Sequence, residues 1–183
     1  MAAPPLMTID EYFQTPETVL PAELAFGVWH VADSPTPRHQ SAVLELTLAL
    51  ERHVQAHVLG RVWIAPLDVV LDSRKALVVQ PDLMFISTAR DVIVQDRVRG
   101  APDLVIEVLS PNPRVGKTEA HIRWFADYGV RECWLVHTIR RDVTVITFDA
   151  GRARYRRVHA AGDPIRSRVL PEWTMPLDEI LRR

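Results

Sequence analysis

The order of the predicted elements places this chain in the α/β (α+β) class, as a sandwich of helices around a mixed β-sheet. Two long segments with helical apolar spacing flank three apolar, strand-like runs, and further strand-like runs follow the second helix. With 183 residues, 48% of them hydrophobic and 25% charged, the chain can bury one substantial core. We therefore expect one domain that spans residues 1–183.

The N-terminal segment predicts a short helix followed by a hairpin. Residues 7–16 begin with a capping box, in which Thr8 is the N-cap and Glu11 stands three positions later. Residues 22–33 alternate weakly between apolar and polar side chains and contain Gly27, which favours a pair of strands. Both elements precede the first long helix.

The middle of the chain predicts that helix and three strands. Apolar residues at helical spacing extend over about 37–58, and Gly60 is expected to end the helix. Strand-like runs follow over about 61–71, 77–87 and 103–109.

The C-terminal part predicts a second long helix and further strands. The segment 111–113 (Pro-Asn-Pro) breaks the chain, and a helix over about 114–128 ends at Gly129. The remaining predicted elements are strands over about 132–137 and 143–149, β structure from Gly151, and a closing turn around 171–181.

Charge and cysteine content exclude several classes of function. The net charge is −1, so no global field attracts the chain to nucleic acid or to a membrane, and any such binding requires a local patch. The single cysteine, Cys133, excludes a disulfide framework and a cysteine-cluster zinc site, and we expect it to be a buried thiol. The sequence shows no membrane-spanning run and no signal peptide, which predicts a cytoplasmic protein.

Two carboxylates in apolar runs are the main functional signal. Asp82 interrupts the run from Leu77 to Ile86, and Glu107 interrupts the run from Leu104 to Leu109. A charge inside a buried strand costs several kcal/mol unless it is paired. Two such acids on neighbouring strands would repel each other, and a divalent cation is the simplest way to hold them together, as in a metal-dependent phosphodiesterase. A turn-capping role for Asp82 and a solvent-facing edge position for Glu107 remain open.

Other titratable residues favour structural roles. Asp103 begins a strand and is expected to cap a loop, and Asp68 to form a structural ion pair. His53 and His57 have the spacing of a zinc pair, but no third ligand accompanies them, which favours a solvated helix face.

A local basic region follows the predicted core. Arginines alternate along a strand-like segment that includes Arg154 and Arg156. Alternate residues share one face of a strand, so these arginines would form one positive surface. That surface could contact the phosphates of nucleic acid or protect a sheet edge, and the sequence leaves both interpretations open.

An ordered set of motifs resembles the Uma2 family of restriction-endonuclease-like proteins, within the PD-(D/E)XK nuclease superfamily. The most specific part is Glu107-Val108-Leu109-Ser110-Pro111, followed by a helix and by Gly129-Val130-Arg131-Glu132-Cys133-Trp134. The other matching segments are Gln80-Pro81-Asp82, Met7 to Tyr12, Glu23 to Val31, and Arg38-His39-Gln40. Glu23 and Asp68 also match acidic positions of the family.

The resemblance implies a restriction-endonuclease-like mixed sheet flanked by helices. It implies that Asp82 and Glu107 bind Mg²⁺ or Mn²⁺, with a backbone carbonyl at Val108 completing the site, and that the reaction is hydrolysis of phosphodiester bonds in DNA. His39 matches a family position at the start of the long helix, where it would bind phosphate or orient water, or serve only as a helix-terminal residue. The apolar C-terminal segment from Val169 to Leu181 leaves room for a homodimer interface.

The chain departs from the superfamily pattern at the lysine. Leu109 stands where the superfamily signature places lysine, and His121 stands where Uma2-like proteins place it on the following helix. Lys117 lies one helical turn earlier, so it could share a face with His121 and supply the positive charge, or it could be an ordinary solvated residue. We therefore expect a metal-dependent endonuclease, with a catalytically degenerate module that binds nucleic acid or protein as the alternative.

Overall fold

The computed structural model describes residues 6–16, 21–109 and 115–181. Within these ranges, no helix is long and apolar enough to cross a membrane. The elements follow one another as α1 (Ile9–Gln14), β1 (Ala22–Ala25), β2 (Val28–Val31), α2 (Pro37–Ala56), β3 (Gly60–Ile64), β4 (Val69–Asp72), β5 (Leu77–Val79), β6 (Leu83–Ser87), a 3-10 helix (Thr88–Ile93), β7 (Val98–Arg99), β8 (Leu104–Leu109), α3 (Val115–Tyr128), β9 (Glu132–His137), β10 (Asp142–Asp149), β11 (Arg152–Ala160) and α4 (Leu177–Ile180).

The strands form two mixed sheets flanked by helices, which confirms the predicted fold class. One sheet has five strands in the order β2-β1-β5-β4-β7, and the other has six in the order β11-β10-β9-β8-β6-β3. Each sheet contains one parallel pair, β4 with β7 and β8 with β9, among antiparallel neighbours. The division into two sheets is a feature that the order of elements did not predict.

Two prolines mark the points where the chain passes between the sheets. The predicted strands over 61–71 and 77–87 are each interrupted, at Pro66 and at Pro81. A proline has no N–H to donate to the ladder, so each strand ends there and the chain continues in the other sheet. Strands β3 and β6 pair in the six-stranded sheet, and β4 and β5 pair in the five-stranded sheet. The short segment 80–82 therefore carries the chain from one sheet to the other.

Strand β8 lies between the two largest apolar clusters. Its residues 104, 106 and 108 pack in the cluster that includes the buried face of α2, and residue 105 packs in the cluster with Ile122 and Phe125 of α3. Successive side chains of a strand alternate between its faces. Glu107 therefore lies on the face of the six-stranded sheet that α3 covers.

Most predicted elements are present within one or two residues of their predicted bounds. The capping box of Thr8 and Glu11 is formed, and α3 ends before Gly129, whose φ is +93°. The prediction that Gly60 ends the first long helix is wrong, since the left-handed residue after α2 is Val58 with φ of 53° and Gly60 begins β3. The 3-10 helix, β7 and α4 were not predicted, and the predicted break at 111–113 lies outside the described residues.

Gly60 is instead required by close packing, which gives a stability prediction. A Cβ at this position would lie 2.1 Å from the carbonyl oxygen of Ile86 on the paired strand β6, and the φ of Gly60 is +154°. We expect Gly60→Ala to lower the free energy of unfolding by about 1–3 kcal/mol, measured by urea denaturation. Gly162→Ala is the matched control, because a Cβ added there would have no described heavy atom within 4 Å. Equal stability of the two variants would contradict the packing argument.

Candidate active site

The register of the six-stranded sheet brings Asp82 and Glu107 together. Strands β6 and β8 are antiparallel, with Leu83 opposite Ile106. Continued by one residue, this register sets Asp82 opposite Glu107, and directly opposite residues have their Cβ atoms about 4.5–5.5 Å apart. Both side chains line a cleft of about 510 Å³ at the junction of the two sheets.

Asp82 is held by a backbone donor and by a histidine. Its Oδ2 accepts a hydrogen bond of 2.7 Å from the N–H of Val108 and lies 3.2 Å from Nε2 of His39, in the first turn of α2. The hydrogen bond to Asp82 raises the pKa of His39, against the opposite effect of burial. Nδ1 of His39 is buried without a hydrogen-bond partner among the residues that the structure describes. The helix start that matches the family motif is thus part of the site.

Glu107 carries a charge that the described residues only partly compensate. Burial raises the pKa of its carboxyl group to about 7, and the nearby charge of Asp82 acts in the same direction. Its Oε1 lies 3.6 Å from Nδ1 of His121, a contact that opposes the increase. Burial and the charge of Asp82 therefore disfavour the ionised form of Glu107, and the contact with His121 favours it.

A third carboxylate, Glu23 of β1, contacts the two candidate cations of α3. Its Oε2 lies 3.1 Å from Nζ of Lys117 and 3.3 Å from Nε2 of His121. The contact between Glu23 and His121 lacks hydrogen-bond geometry and is therefore an electrostatic contact. Burial alone would raise the pKa of Glu23, but His121 and Lys117 lower it to about 2. Burial alone would lower the pKa of His121, but its contacts with Glu107 and Glu23 raise that pKa to about 9.

The acid pair fits a divalent cation. No three His, Cys, Asp or Glu side chains of the described ranges converge into a ready-made ion site. Mg²⁺, however, is commonly bound by one or two carboxylates together with phosphate and water. Burial is the main cause of the raised pKa of Glu107 and the charge of Asp82 adds to it, so a cation between the two acids would favour their ionised forms. Asp82 and Glu107 would hold it, and Val108 lies beside them.

Two other acids predicted to be structural are found in structural contacts. Asp68 pairs with Arg97 at 3.2 Å, as its expected role as an ion-pair residue requires. Asp103 is fully buried, accepts a hydrogen bond from the N–H of Ser87 and pairs with Arg131 at 3.1 Å.

The two histidines with zinc-like spacing contact the C-terminal segment. Nε2 of His53 lies 2.9 Å from the carbonyl oxygen of Pro171, and the His53 ring packs edge-on against Trp173. His57 lies 3.4 Å from Glu172. These contacts attach α2 to the segment that precedes α4.

The two arginines of the predicted positive surface, Arg154 and Arg156, lie away from the cleft. Strand β11 is an edge strand of the six-stranded sheet, and Arg154 and Arg156 are exposed on it. Arg154 lies 3.6 Å from Asp149, and Arg156 lies 3.3 Å from Glu119 on α3. In the described part of the chain, neither arginine lines the cleft with the acids.

Sequence patterns assigned no role to two residues of the site. Gln80 stands in the matching motif without an evident function, and Glu23 is recognisable only as an acidic family position. The N–H of Gln80 donates to Oε1 of Glu23 at 3.2 Å, which links the segment before Asp82 to β1. The available signal was a lone acid within the otherwise apolar segment Ala22–Ala25.

Comparisons with known proteins identify a family and a similar fold. A family model described as "Uma2: Putative restriction endonuclease" matches residues 9–178. Among solved structures, a protein described as a "putative nuclease belonging to DUF820" from Anabaena variabilis is similar, with a TM-score of 0.81 and 18% sequence identity over 96% of this chain and 98% of that chain. This structural likeness shows the fold. No curated protein matches the sequence.

Proposed function

The chain belongs to the Uma2 family, and from this premise we propose that it is a metal-dependent endonuclease that hydrolyses phosphodiester bonds of DNA. The observation that carries the proposal is the register that sets Asp82 opposite Glu107 in a cleft that also contains Lys117 and His121. Two acids, with cations beside them, match the requirements of phosphodiester hydrolysis, in which negative charge develops on the phosphate and the leaving oxygen.

The acids would hold the ion. In this proposal Asp82, Glu107 and the backbone carbonyl of Val108 bind Mg²⁺ or Mn²⁺. The bound ion supplies a Lewis acid for the phosphate and lowers the pKa of a bound water. The hydrogen bond from the N–H of Val108 keeps one oxygen of Asp82 in place, which supports this role.

The neighbouring cations would act on the phosphate and on protons. The side chain of Lys117 is 46% exposed at the cleft, so its ammonium group can reach a phosphate while it remains near Glu23. His121 lines the cleft and is a candidate general acid, because, against the effect of burial, its contacts with Glu107 and Glu23 raise its pKa to about 9. His39 lines the cleft beside Asp82, where it could bind phosphate or orient water.

Metal binding can be measured without an activity assay. We expect Mn²⁺ at roughly a hundred times its Kd to raise the melting temperature of the protein by about 5–10 °C relative to EDTA-treated protein. Glu107→Gln should lose this increase. In EDTA it should melt no lower than the wild type, because it removes a buried charge beside Asp82.

Asp68→Asn provides the matched control, since Asp68 is a partly buried acid that pairs with Arg97. We expect it to keep the increase caused by Mn²⁺. An equal increase in Glu107→Gln would place the ion elsewhere.

The alternative is a catalytically degenerate module on the same fold that binds nucleic acid or protein. The observation in its favour is that Leu109 and His121 replace the expected lysines while Lys117 is paired with Glu23. Nicking of supercoiled plasmid DNA in Mn²⁺ distinguishes the two functions. Cleavage that depends on Asp82 supports the enzyme, whereas DNA binding without cleavage supports the module.

The predicted positive surface gives a separate prediction for DNA binding. If Arg154 and Arg156 contact phosphates, binding should weaken with salt, because each neutralised phosphate contributes about −0.9 to the slope of log K against log salt. Replacing both by Ala should flatten the slope by up to about two units, measured by fluorescence anisotropy. Arg61→Ala, on the opposite edge strand β3, is the control and should leave the slope unchanged. An unchanged slope in the double variant would assign the arginines to edge protection.

A further inference from the structure

Glu23 belongs to a different sheet from the acid pair that it faces across the cleft. It lies on β1 of the five-stranded sheet, whereas Asp82 and Glu107 belong to the six-stranded sheet and its entry segment. Glu23 is only 8% exposed, and one of its oxygens serves both Lys117 and His121. It therefore meets α3 from the opposite side of the cleft.

The second oxygen of Glu23 connects it to the segment 80–82, which contains Asp82. Oε1 accepts the N–H of Gln80, two residues before Asp82, and the side chain of Gln80 accepts the N–H of Ala22 at 3.2 Å in return. The amide of Gln80 also donates to Asp68 at 2.8 Å. The two hydrogen bonds of Gln80 with Glu23 and Ala22 fix the Glu23 carboxylate relative to the segment that leads into Asp82.

The Glu23 carboxylate can restrict the side-chain conformations of Lys117 and His121 on α3. A free lysine side chain samples many rotamers, and a contact at its end limits the positions that the ammonium group occupies. Glu23 stays ionised beside these cations, since its pKa is about 2. A buried carboxylate without cations would be costly, so Lys117, His121 and Glu23 depend on one another.

We propose that Glu23 is a positioning residue, which holds Lys117 and His121 against the Asp82–Glu107 pair and joins the two sheets across the cleft. The inference rests on the proposed function, because it assumes that Lys117 and His121 act on the substrate. Glu23 acts through these two side chains and contacts neither the ion nor the phosphate.

Glu23→Gln tests this role because it removes the charge but keeps the size and an oxygen for the N–H of Gln80. Loose positioning of reacting groups can cost about 10²-fold in rate. We expect kcat for plasmid nicking to fall by about tenfold to a hundredfold, with KM and the half-saturating Mn²⁺ concentration within about twofold of the wild type.

Asp68→Asn serves as the matched control. Asp68 also contacts Gln80, but Lys117 and His121 contact Glu23 instead, so this variant should have a kcat close to the wild-type value. Should Glu23→Gln fail to fold, Glu23→Asp retains the charge at a shorter reach, and its kcat should fall below the wild-type value by less than about tenfold.

A direct role for Glu23 would have a different signature. If Glu23 acts through Lys117, the loss of kcat in the double variant Glu23→Gln, Lys117→Met is smaller than the product of the single losses. Multiplicative losses together with a raised half-saturating Mn²⁺ concentration would make Glu23 a metal ligand and overturn the proposal.

A double-mutant cycle on unfolding stability tests the contact of Glu23 independently of the proposed function. If the wild type cleaves no DNA in Mn²⁺, the proposed function fails, but the contact of Glu23 with Lys117 can still be tested. Urea midpoints of Glu23→Gln, Lys117→Met and the double variant should be non-additive, with the double variant more stable than the sum of the single losses implies. Additive losses would show that Glu23 does not hold Lys117, and the positioning role would be lost.

Discussion

Asp82→Asn should reduce the metal-dependent nicking of plasmid DNA by about a thousandfold, which corresponds to roughly 4 kcal/mol of transition-state stabilisation. The register of β6 and β8, continued by one residue, sets Asp82 opposite Glu107, and Oδ2 of Asp82 accepts the N–H of Val108. Asn keeps the shape but loses the charge that the cation requires. Initial rates in Mn²⁺, compared at equal protein concentration, give the measurement, and Glu107→Gln should show a loss of the same order.

The control separates loss of the site from loss of the fold. Asp68→Asn also removes a partly buried carboxylate, which lies just before β4 and pairs with Arg97. It should keep most of the nicking activity. If Asp82→Asn cleaves within tenfold of the wild type, the acid pair does not bind the catalytic ion.

Lys117→Ala should lower the nicking rate by about a hundredfold, the usual effect of removing one group that stabilises developing charge. Lys117 is the lysine that lines the cleft, and its Nζ lies 3.1 Å from Glu23. Arg123→Ala is the matched control, because Arg123 is an exposed cation on the same helix α3. It should cleave at the wild-type rate.

His121 is the second candidate for the same role. It follows Lys117 by one turn, and both contact the same oxygen of Glu23. If Lys117→Ala cleaves DNA as fast as the wild type, the positive charge must come from elsewhere, and His121→Ala then becomes the decisive variant. Wild-type rates for both would remove the cations of α3 from the mechanism.

The amino-acid sequence determined most of the local structure. The capping box of Thr8 and Glu11 and the apolar spacing of the two long helices depend on neighbours within one or two turns, and both are present in the structure. The same holds for the strand 104–109, where a lone Glu107 in an apolar run indicates a site. Patterns of this kind can be recognised along the chain because the interactions that produce them are local.

Tertiary structure decided which of the two sheets each strand joins. The apolar runs over 61–71 and 77–87 each predict one strand, but each contributes to two different sheets. A proline marks where a strand loses a hydrogen bond, but it does not specify which partner the next segment will pair with. The pairing depends on the packing of the whole sheet, which lies beyond the reach of a local pattern.

The assembly of the site has the same origin. Asp82 and Glu107 were recognisable as charges in apolar runs, whereas the roles of Glu23 and Gln80 were not, because their hydrogen bond joins positions 57 residues apart. Lys117 and His121 share a helix face by local geometry, but their common partner comes from another sheet. A sequence specifies the chemistry of each side chain and its local conformation, while contacts between distant segments arise only when the sheets close around a shared core.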